Sequence, residues 1–387
     1  MSAVNTPPPI ALAERQQRLA GLRALMDDAG LAAVILGSTK SLRYFTGLVW
    51  GASERFTGAI VHADGRLDYV CPGFELTKVA GSIQVPGNEI VTWEEEESPY
   101  AFIASRLRSG TRVALDDQVA LFVYLGLAKA LGTDRLADAG LLINTLRRRK
   151  SVAEIALMQS AKDITLEVHR RTWKSLAKGV KTSEVTRFID QQHRTLAGYG
   201  NTFCIVSFGS DSALPHGGEQ DRALVEGDVV LIDTGTQIDG YQSDITRTYV
   251  FGEPTRQVRE IWTLEKEAQA AAFEAARLGT PCESVDAAAR AVITRAGLGP
   301  DYRLPGLPHR TGHGIGLDIH EPPNLVRGDR TVLAPGMCFS NEPMIVVPDT
   351  FGIRLEDHFH MTERGPRWFT QPSHSLEQPF AGVPEFV

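Results

Sequence analysis

Apolar and polar residues follow two different periods along the first 150 positions. Gln17–Ala29 carries apolar residues at helical spacing and stops at Gly30, which predicts a helix. Ala32–Gly37, Gly58–His62 and Leu67–Cys71 are short apolar runs that predict strands, the last two joined by a tight turn at Asp64-Gly65. Helical spacing returns at Tyr100–Leu107 and Leu121–Leu131, with a strand predicted at Val113–Asp116 between them. Glu94–Glu97 reads as a solvated loop, and the basic run Arg147–Lys150 as a solvated helix face or a hinge.

A long helix is predicted from about Val152 to Leu176, with others at Ser183–Ala197, Arg256–Leu278 and Ser284–Ala296. Apolar strands broken by Gly and Pro lie between and after them. The pattern changes near residue 150, so the chain is divided into an α/β domain, 1–150, and a larger α+β domain, 151–387. No internal repeat or low-complexity segment is visible.

A chain of 387 residues allows two or three domains at roughly 150 residues each. With 43% hydrophobic and 22% charged residues it is expected to be globular. The balance of 40 basic against 47 acidic residues lacks the basic excess of a duplex-binding protein, so no nucleic-acid partner is expected. No apolar run reaches the ~20 residues of a membrane span, and the start MSAVNTPPPIALAERQQRL lacks the features of a secretory signal. Four scattered cysteines without a CxxC fit reduced thiols and a cytoplasmic location. Of ten histidines, only His62 precedes residue 150, which places the expected chemistry in the second domain.

That domain carries five candidate ligands. Asp233 interrupts the strand Val229–Gln237, and Asp244 follows the turn Asp239-Gly240. If that dipeptide is the centre of a two-residue hairpin, Gly235 faces Asp244. Both carboxylates then point to one face, on a diagonal of roughly 7–8 Å. Two carboxylates on an apolar hairpin are costly to bury without a cation between them. One Asp at a solvent edge and the other capping a turn is the plainer alternative. His313 sits among Gly312, Gly314 and Gly316 in HRTGHGIGLDIHEPP, with His320 seven residues on. Glu342 leads into Met344–Val347, and Arg354 and Glu356 share one face of a strand, where they could simply pair with each other. Four carboxylates and one imidazole form a hard, oxygen-rich set suited to two Mn²⁺, Co²⁺ or Zn²⁺ ions.

Asp233, Asp244, His313, Glu342 and Glu356 resemble, in order, spacing and local wording, the five ligands of the pita-bread metallopeptidases. That group holds the methionine aminopeptidases, aminopeptidase P and the Xaa-Pro dipeptidases or prolidases. The words are IDTG, GYQSDITRT, HRTGHGIGLDIHEPP, NEP and RLED. His216 in SALPHG and His320 fall on the two substrate-contacting histidines of the proline-directed branch, and Arg354 on its arginine beside the last ligand. The first domain, partly through Ser41–Leu48, resembles the creatinase-like N-terminal domain of that branch. The resemblance implies a pita-bread catalytic domain with two divalent ions per chain, Mn²⁺ foremost. Asp233 would chelate one ion, His313 the other, and Asp244 and Glu356 would bridge them. Glu342 would bind metal and manage the proton of a bridging water. The implied reaction is hydrolysis of the Xaa-Pro imide bond in dipeptides by a metal-bridging hydroxide. The implied partners are small peptides with proline second, and a second copy of the chain in a homodimer. One departure bears on substrate length. Several short prolidases carry an arginine four residues after the second substrate histidine, and here that position is Asn324, with Arg327 three residues later. Aminopeptidase P, which releases the first residue of longer Xaa-Pro peptides, is therefore an alternative, and a non-peptide C–N hydrolase of the same fold is another.

Overall fold

The structure, a computed structural model, describes residues 6–384. Ile10–Arg147 forms one compact unit, and the chain from Arg148 onward, with residues 6–9, forms another.

The first unit is built on a six-stranded sheet. In spatial order its strands are Glu89–Trp93, Leu67–Pro72, Gly58–His62, Ala33–Leu36, Val113–Leu115 and Leu136–Asp138. Every residue of Ala33–Leu36 is buried, as expected of a central strand covered on both faces. The turn at Asp64-Gly65 closes an antiparallel hairpin in which Val61 faces Leu67. The two strands the pattern does not announce are the sheet's edges, where exposed positions break the apolar run.

The first helix spans Leu12–Asp28 and so begins five residues before the predicted start. Its extra turn buries Arg15, and Arg18 just inside the predicted span is buried as well, neither of which apolar spacing can register. Their guanidiniums donate to the Arg43 and Tyr44 carbonyls of the helix Lys40–Thr46, at 2.7 and 3.0 Å. Arg18 also lies 4.0 Å over the Tyr44 ring. Glu94–Glu97 is an exposed loop as expected. The basic run differs from the expectation: Arg147 and Lys150 are buried. Lys150 Nζ donates to Glu321 Oε2 at 3.0 Å, a partner 171 residues away that makes burial of the ammonium tolerable.

The second unit opens with the helix Val152–Ser175, started by a capping box between Ser151 and Glu154. Thr182–Ala197 packs beside it and leads into an antiparallel sheet of Phe203–Phe208, Val229–Gly235 and Ile245–Val250. The helices Arg256–Ala275 and Cys282–Arg295 then lead into a five-stranded sheet. Its strands in spatial order are Glu321–Leu325, Gly312–Gly314, Cys338–Asn341, Asp357–Thr362 and Gly365–Trp368. Ala268, Ala272, Val285 and Ile293 from these helices share a core with Leu231, Phe339 and Phe359 from the strands.

These two halves repeat one plan, which the sequence did not announce. Gly179 N–H donates to the Leu224 carbonyl, and Gly279 N–H to the Leu333 carbonyl. Lys181 bridges Ala223, and Pro281 bridges Val332. Strands start at Val229 and at Cys338, each six residues beyond its bridge, and four residues after each start comes a carboxylate, Asp233 within the first strand and Glu342 just past the end of the second. The chain thus brings two equivalent carboxylates toward its middle, one from each half. This is the pita-bread architecture, preceded by a creatinase-like α/β domain.

Candidate active site

The hairpin turn sets the first carboxylate pair. Asp239 and Gly240 both have positive φ, 46° and 81°, as a type I′ turn requires. Tyr241 faces Ile238, Gln242 faces Gln237 and Ile245 faces Thr234, the register that a two-residue turn predicts. Asp233 and Asp244 are both buried.

Of the other three candidates, His313 lies on a strand, while Glu342 and Glu356 sit in short breaks directly after Cys338–Asn341 and directly before Asp357–Thr362. His313 lies at the centre of Gly312–Gly314, where a Cβ on either flanking glycine would strike the carbonyl of Ser340 or of Glu321. Ser340 Oγ accepts the His313 N–H at 2.9 Å and donates to Glu342 Oε1 at 3.1 Å, so it fixes both residues. His313 Nδ1 lies 3.0 Å from the Gly314 carbonyl, which places a hydrogen on Nδ1 and frees Nε2 for the site. Nε2 stands 3.0 Å from Glu342 Oε1 and 3.8 Å from Asp244 Oδ2. Glu356 is buried and accepts from Thr246 Oγ1 at 2.8 Å.

Arg354 pairs with Asp233 rather than with Glu356. Its Nη2 lies 2.6 Å from Asp233 Oδ2, its Nε donates to Thr246 Oγ1 at 3.0 Å, and its Nη1 donates to the Pro215 carbonyl at 3.1 Å. That last contact anchors the residue before His216, which lies on an exposed turn. His320 stacks edge-on against His313, ring centroids 4.2 Å apart. Though His320 remains exposed at the surface, partial burial of its ring and then the neighbouring His313, Arg310 and His216 pull its pKa down to about 4. It is therefore a neutral imidazole at pH 7.

Burial, and then repulsion among the carboxylates, pushes Asp244 and Glu356 well above the ordinary carboxylate range. Burial raises Asp233 as well, against the pull of Arg354. Burial also acts to raise Glu342, but His313 outweighs it and holds that carboxyl below its usual value. Asp233 Oδ1, Asp244 Oδ1 and Glu356 Oε1 are buried without a hydrogen-bond partner. Three sets of ligand atoms lie within 4.8 Å of one another: Asp244, His313 and His320; His313, Glu342 and Glu356; and Asp244, Glu356 and His358. Orphaned anionic oxygens converging with an imidazole fit divalent cations.

Two residues absent from the sequence reading stand close by. Arg310 Nη1 donates to Asn324 Oδ1 at 2.9 Å, at the position where the short prolidases would carry their arginine. No sequence signal near Asn324 points to Arg310. Arg327, the candidate from sequence, is 62% exposed and pairs with Asp301. The other residue is His358, two positions after Glu356 and fully buried. Among the described residues no helix is long and apolar enough to cross a membrane.

The architecture and the carboxylate–imidazole cluster define a two-domain metallopeptidase. Residues 156–363 match the model of metallopeptidase family M24, and residues 18–149 match the creatinase/prolidase N-terminal domain. The chain belongs to the M24 family. It is 37% identical over 363 residues to "Probable dipeptidase PepE" of Mycobacterium tuberculosis, covering 93% of this chain and 95% of that protein. It is 32% identical over 365 residues to the Xaa-Pro dipeptidase of Lactobacillus helveticus, covering 92% of this chain and 97% of that one. Among solved structures, dipeptidase PepE of Mycobacterium ulcerans superposes with a TM-score of 0.87 at 34% identity, over 95% of this chain and 99% of the other.

Proposed function

We propose that this protein is an Xaa-Pro dipeptidase dependent on two divalent metal ions, Mn²⁺ foremost, with catalysis carried by residues 151–387. Asp233, Asp244, His313, Glu342 and Glu356 are its metal ligands. The observation that carries the reading is the clustering of ligand atoms of Asp244, Glu342 and Glu356 around His313, together with buried, unpartnered oxygens on Asp233, Asp244 and Glu356. The name of the full-length Lactobacillus helveticus relative supports the substrate class.

When bound, a pair of divalent ions lowers the pKa of coordinated water toward 7 and polarises a carbonyl. The chain's own groups do the rest. Glu342, with Oε1 held by Ser340, takes the proton of the attacking water and delivers it to the proline nitrogen. That nitrogen is tertiary in the peptide and leaves poorly unless protonated. His320, neutral at pH 7, and His216 donate hydrogen bonds to the carbonyl oxygen as charge develops there. Arg354 holds Asp233 in place. Arg310 is assigned to the substrate's free carboxylate. A cytoplasmic homodimer completes the reading, and light scattering of the purified chain tests the dimer.

Asn324 favours a second reading, aminopeptidase P, because it stands where an arginine would clamp a dipeptide. A panel of Xaa-Pro, Xaa-Pro-Yaa and Xaa-Pro-Yaa-Zaa with Mn²⁺, Co²⁺ or Zn²⁺ restored to chelated protein separates the two. Dipeptides should be cleaved fastest. Preference for the tetrapeptide assigns the chain to aminopeptidase P instead.

A further inference from the structure

His358 is the second residue of the strand Asp357–Thr362, and its side chain is fully buried. Neither ring nitrogen has a hydrogen-bond partner. A neutral imidazole carries one N–H and one lone pair, and leaving both unmet in an interior is unfavourable and uncommon. Strand packing does not call for a histidine here: its cross-strand neighbour is Ser340, and a branched apolar residue would fill the space at no polar cost.

What the ring faces is the site. His358 Nε2 lies 3.8 Å from Glu356 Oε1, itself buried and unpartnered. That gap is too long for a hydrogen bond. It suits two donors sharing one ion, since ligand bonds of about 2.0–2.2 Å together span up to about 4.3 Å. His313 Nε2 stands at the same 3.8 Å from Asp244 Oδ2. Asp244 closes the second set: ligand atoms of Asp244, Glu356 and His358 lie within 4.8 Å of one another, and all three residues are buried. Each of the three also has a ligand atom with no hydrogen-bond partner.

We infer that His358 is a sixth protein ligand of the dinuclear centre. It binds one ion through the Asp244–Glu356–His358 set, while His313 serves the other, so that each ion has its own imidazole. The inference rests on the dinuclear reading above and deepens it. A second nitrogen moves the donor set away from pure oxygen, and so raises affinity for Co²⁺ and Zn²⁺ more than for Mn²⁺ at that position.

The test is metal binding by the full-length chain, stripped with chelator and titrated with Co²⁺ and with Mn²⁺. Wild type is compared with His358→Asn and His358→Leu, and with His360→Asn as a control from the same strand. Wild type should take up two Co²⁺ ions. Both His358 variants should lose at least about tenfold in affinity for one Co²⁺, with a smaller loss for Mn²⁺, and His360→Asn should match wild type. Purely structural roles move the melting temperature of the metal-free chain without moving this selectivity. A second measurement needs no variant: proton NMR of the Co²⁺-loaded wild type should show shifted, exchangeable imidazole N–H signals from two rings. Two-ion binding by both variants with unchanged Co²⁺ affinity, or a single imidazole signal in wild type holding two ions, overturns the assignment. A wild type that binds no Co²⁺ and no Mn²⁺ overturns the dinuclear reading itself, and this one with it.

Discussion

Arg354 Nη2 lies 2.6 Å from Asp233 Oδ2, joining residues 121 positions apart in sequence. The pair is buried, with side-chain exposures of 5% and 10%. The arginine's remaining nitrogens are taken by Thr246 and by the Pro215 carbonyl, so it braces a candidate ligand and the turn that carries His216 at once. Breaking a buried pair leaves an uncompensated charge, at a cost of about 3–5 kcal/mol. Arg354→Ala should therefore lower unfolding stability in urea by about that amount. Arg354→Lys, which keeps the charge but not the fork, should lose less stability yet raise KM as the His216 turn loosens. A stability loss below 1 kcal/mol for Arg354→Ala would show that Asp233 is satisfied without it.

Asp244 should have opposite effects in the two metal states. Without metal, its charge is disfavoured by burial and by Glu356, so Asp244→Asn should raise the melting temperature of the stripped protein. With metal, an amide is a poorer bridge between two cations, so the variant should bind one ion fewer and gain less stability from saturating Mn²⁺. Wild type at 100 times its Kd should gain about 2.7 kcal/mol. Scanning calorimetry of both forms decides; equal metal-induced gains in wild type and variant would remove Asp244 from the ligand set.

Much of this site could be read from local sequence because local rules build it. Asp239-Gly240 specifies its turn, the turn specifies register, and register places Asp233 diagonal to Asp244. Gly312 and Gly314 mark close approach around His313. What escaped was long-range pairing. Nothing near Lys150 announces Glu321, nothing near Arg354 selects Asp233 over Glu356, and nothing near Asn324 points to Arg310. Arg15 hid the first helix's start because its buried partner is a backbone carbonyl, which carries no sequence signature. The internal repeat escaped because it is carried mainly by hydrogen-bond pattern, Gly179 to Leu224 and Gly279 to Leu333, and by only a few matching residues.

Acid should destabilise the fold through two buried histidines. His193 has Nε2 3.2 Å from Thr165 Oγ1, and burial pulls its pKa to about 4. His169, with Nε2 2.8 Å from the Ile245 carbonyl, is pulled to about 3 by burial and then by Arg247. The unfolded chain takes up these protons near pH 6.5 and the folded chain only near pH 3–4. Between those values the unfolded state binds more protons, so stability present above pH 6.5 is lost as pH falls. Urea midpoints measured from pH 7 to pH 5 should decline, and His193→Gln should flatten the decline. An unchanged slope in that variant assigns the acid sensitivity elsewhere.

Glu342→Gln separates ligation from proton transfer. The amide keeps the shape and one oxygen but cannot carry a proton. If Glu342 shuttles the proton, kcat should fall by about 10²–10⁴ with little change in KM, even where metal analysis finds both ions bound. Near-normal turnover at full metal occupancy would leave Glu342 as a ligand only.

Arg310 sets the expected preference for short substrates. Asn324 occupies the position of the dipeptide clamp, yet its Oδ1 accepts from Arg310 Nη1 at 2.9 Å, so a guanidinium is delivered there from a different strand end. Arg327 is committed to Asp301 at the surface. A charge-assisted bond to a carboxylate contributes about 1.5–3 kcal/mol, or roughly ten- to a hundredfold in binding. Arg310→Ala should raise KM for Xaa-Pro by that factor and leave the corresponding Xaa-Pro amide, which has no free carboxylate, nearly unchanged. Asn324→Ala should give a smaller change of the same sign, because it removes the support and not the charge. Equal losses on acid and amide would mean that Arg310 holds the loop around His320 rather than the substrate, and the free carboxylate must then be met by another group.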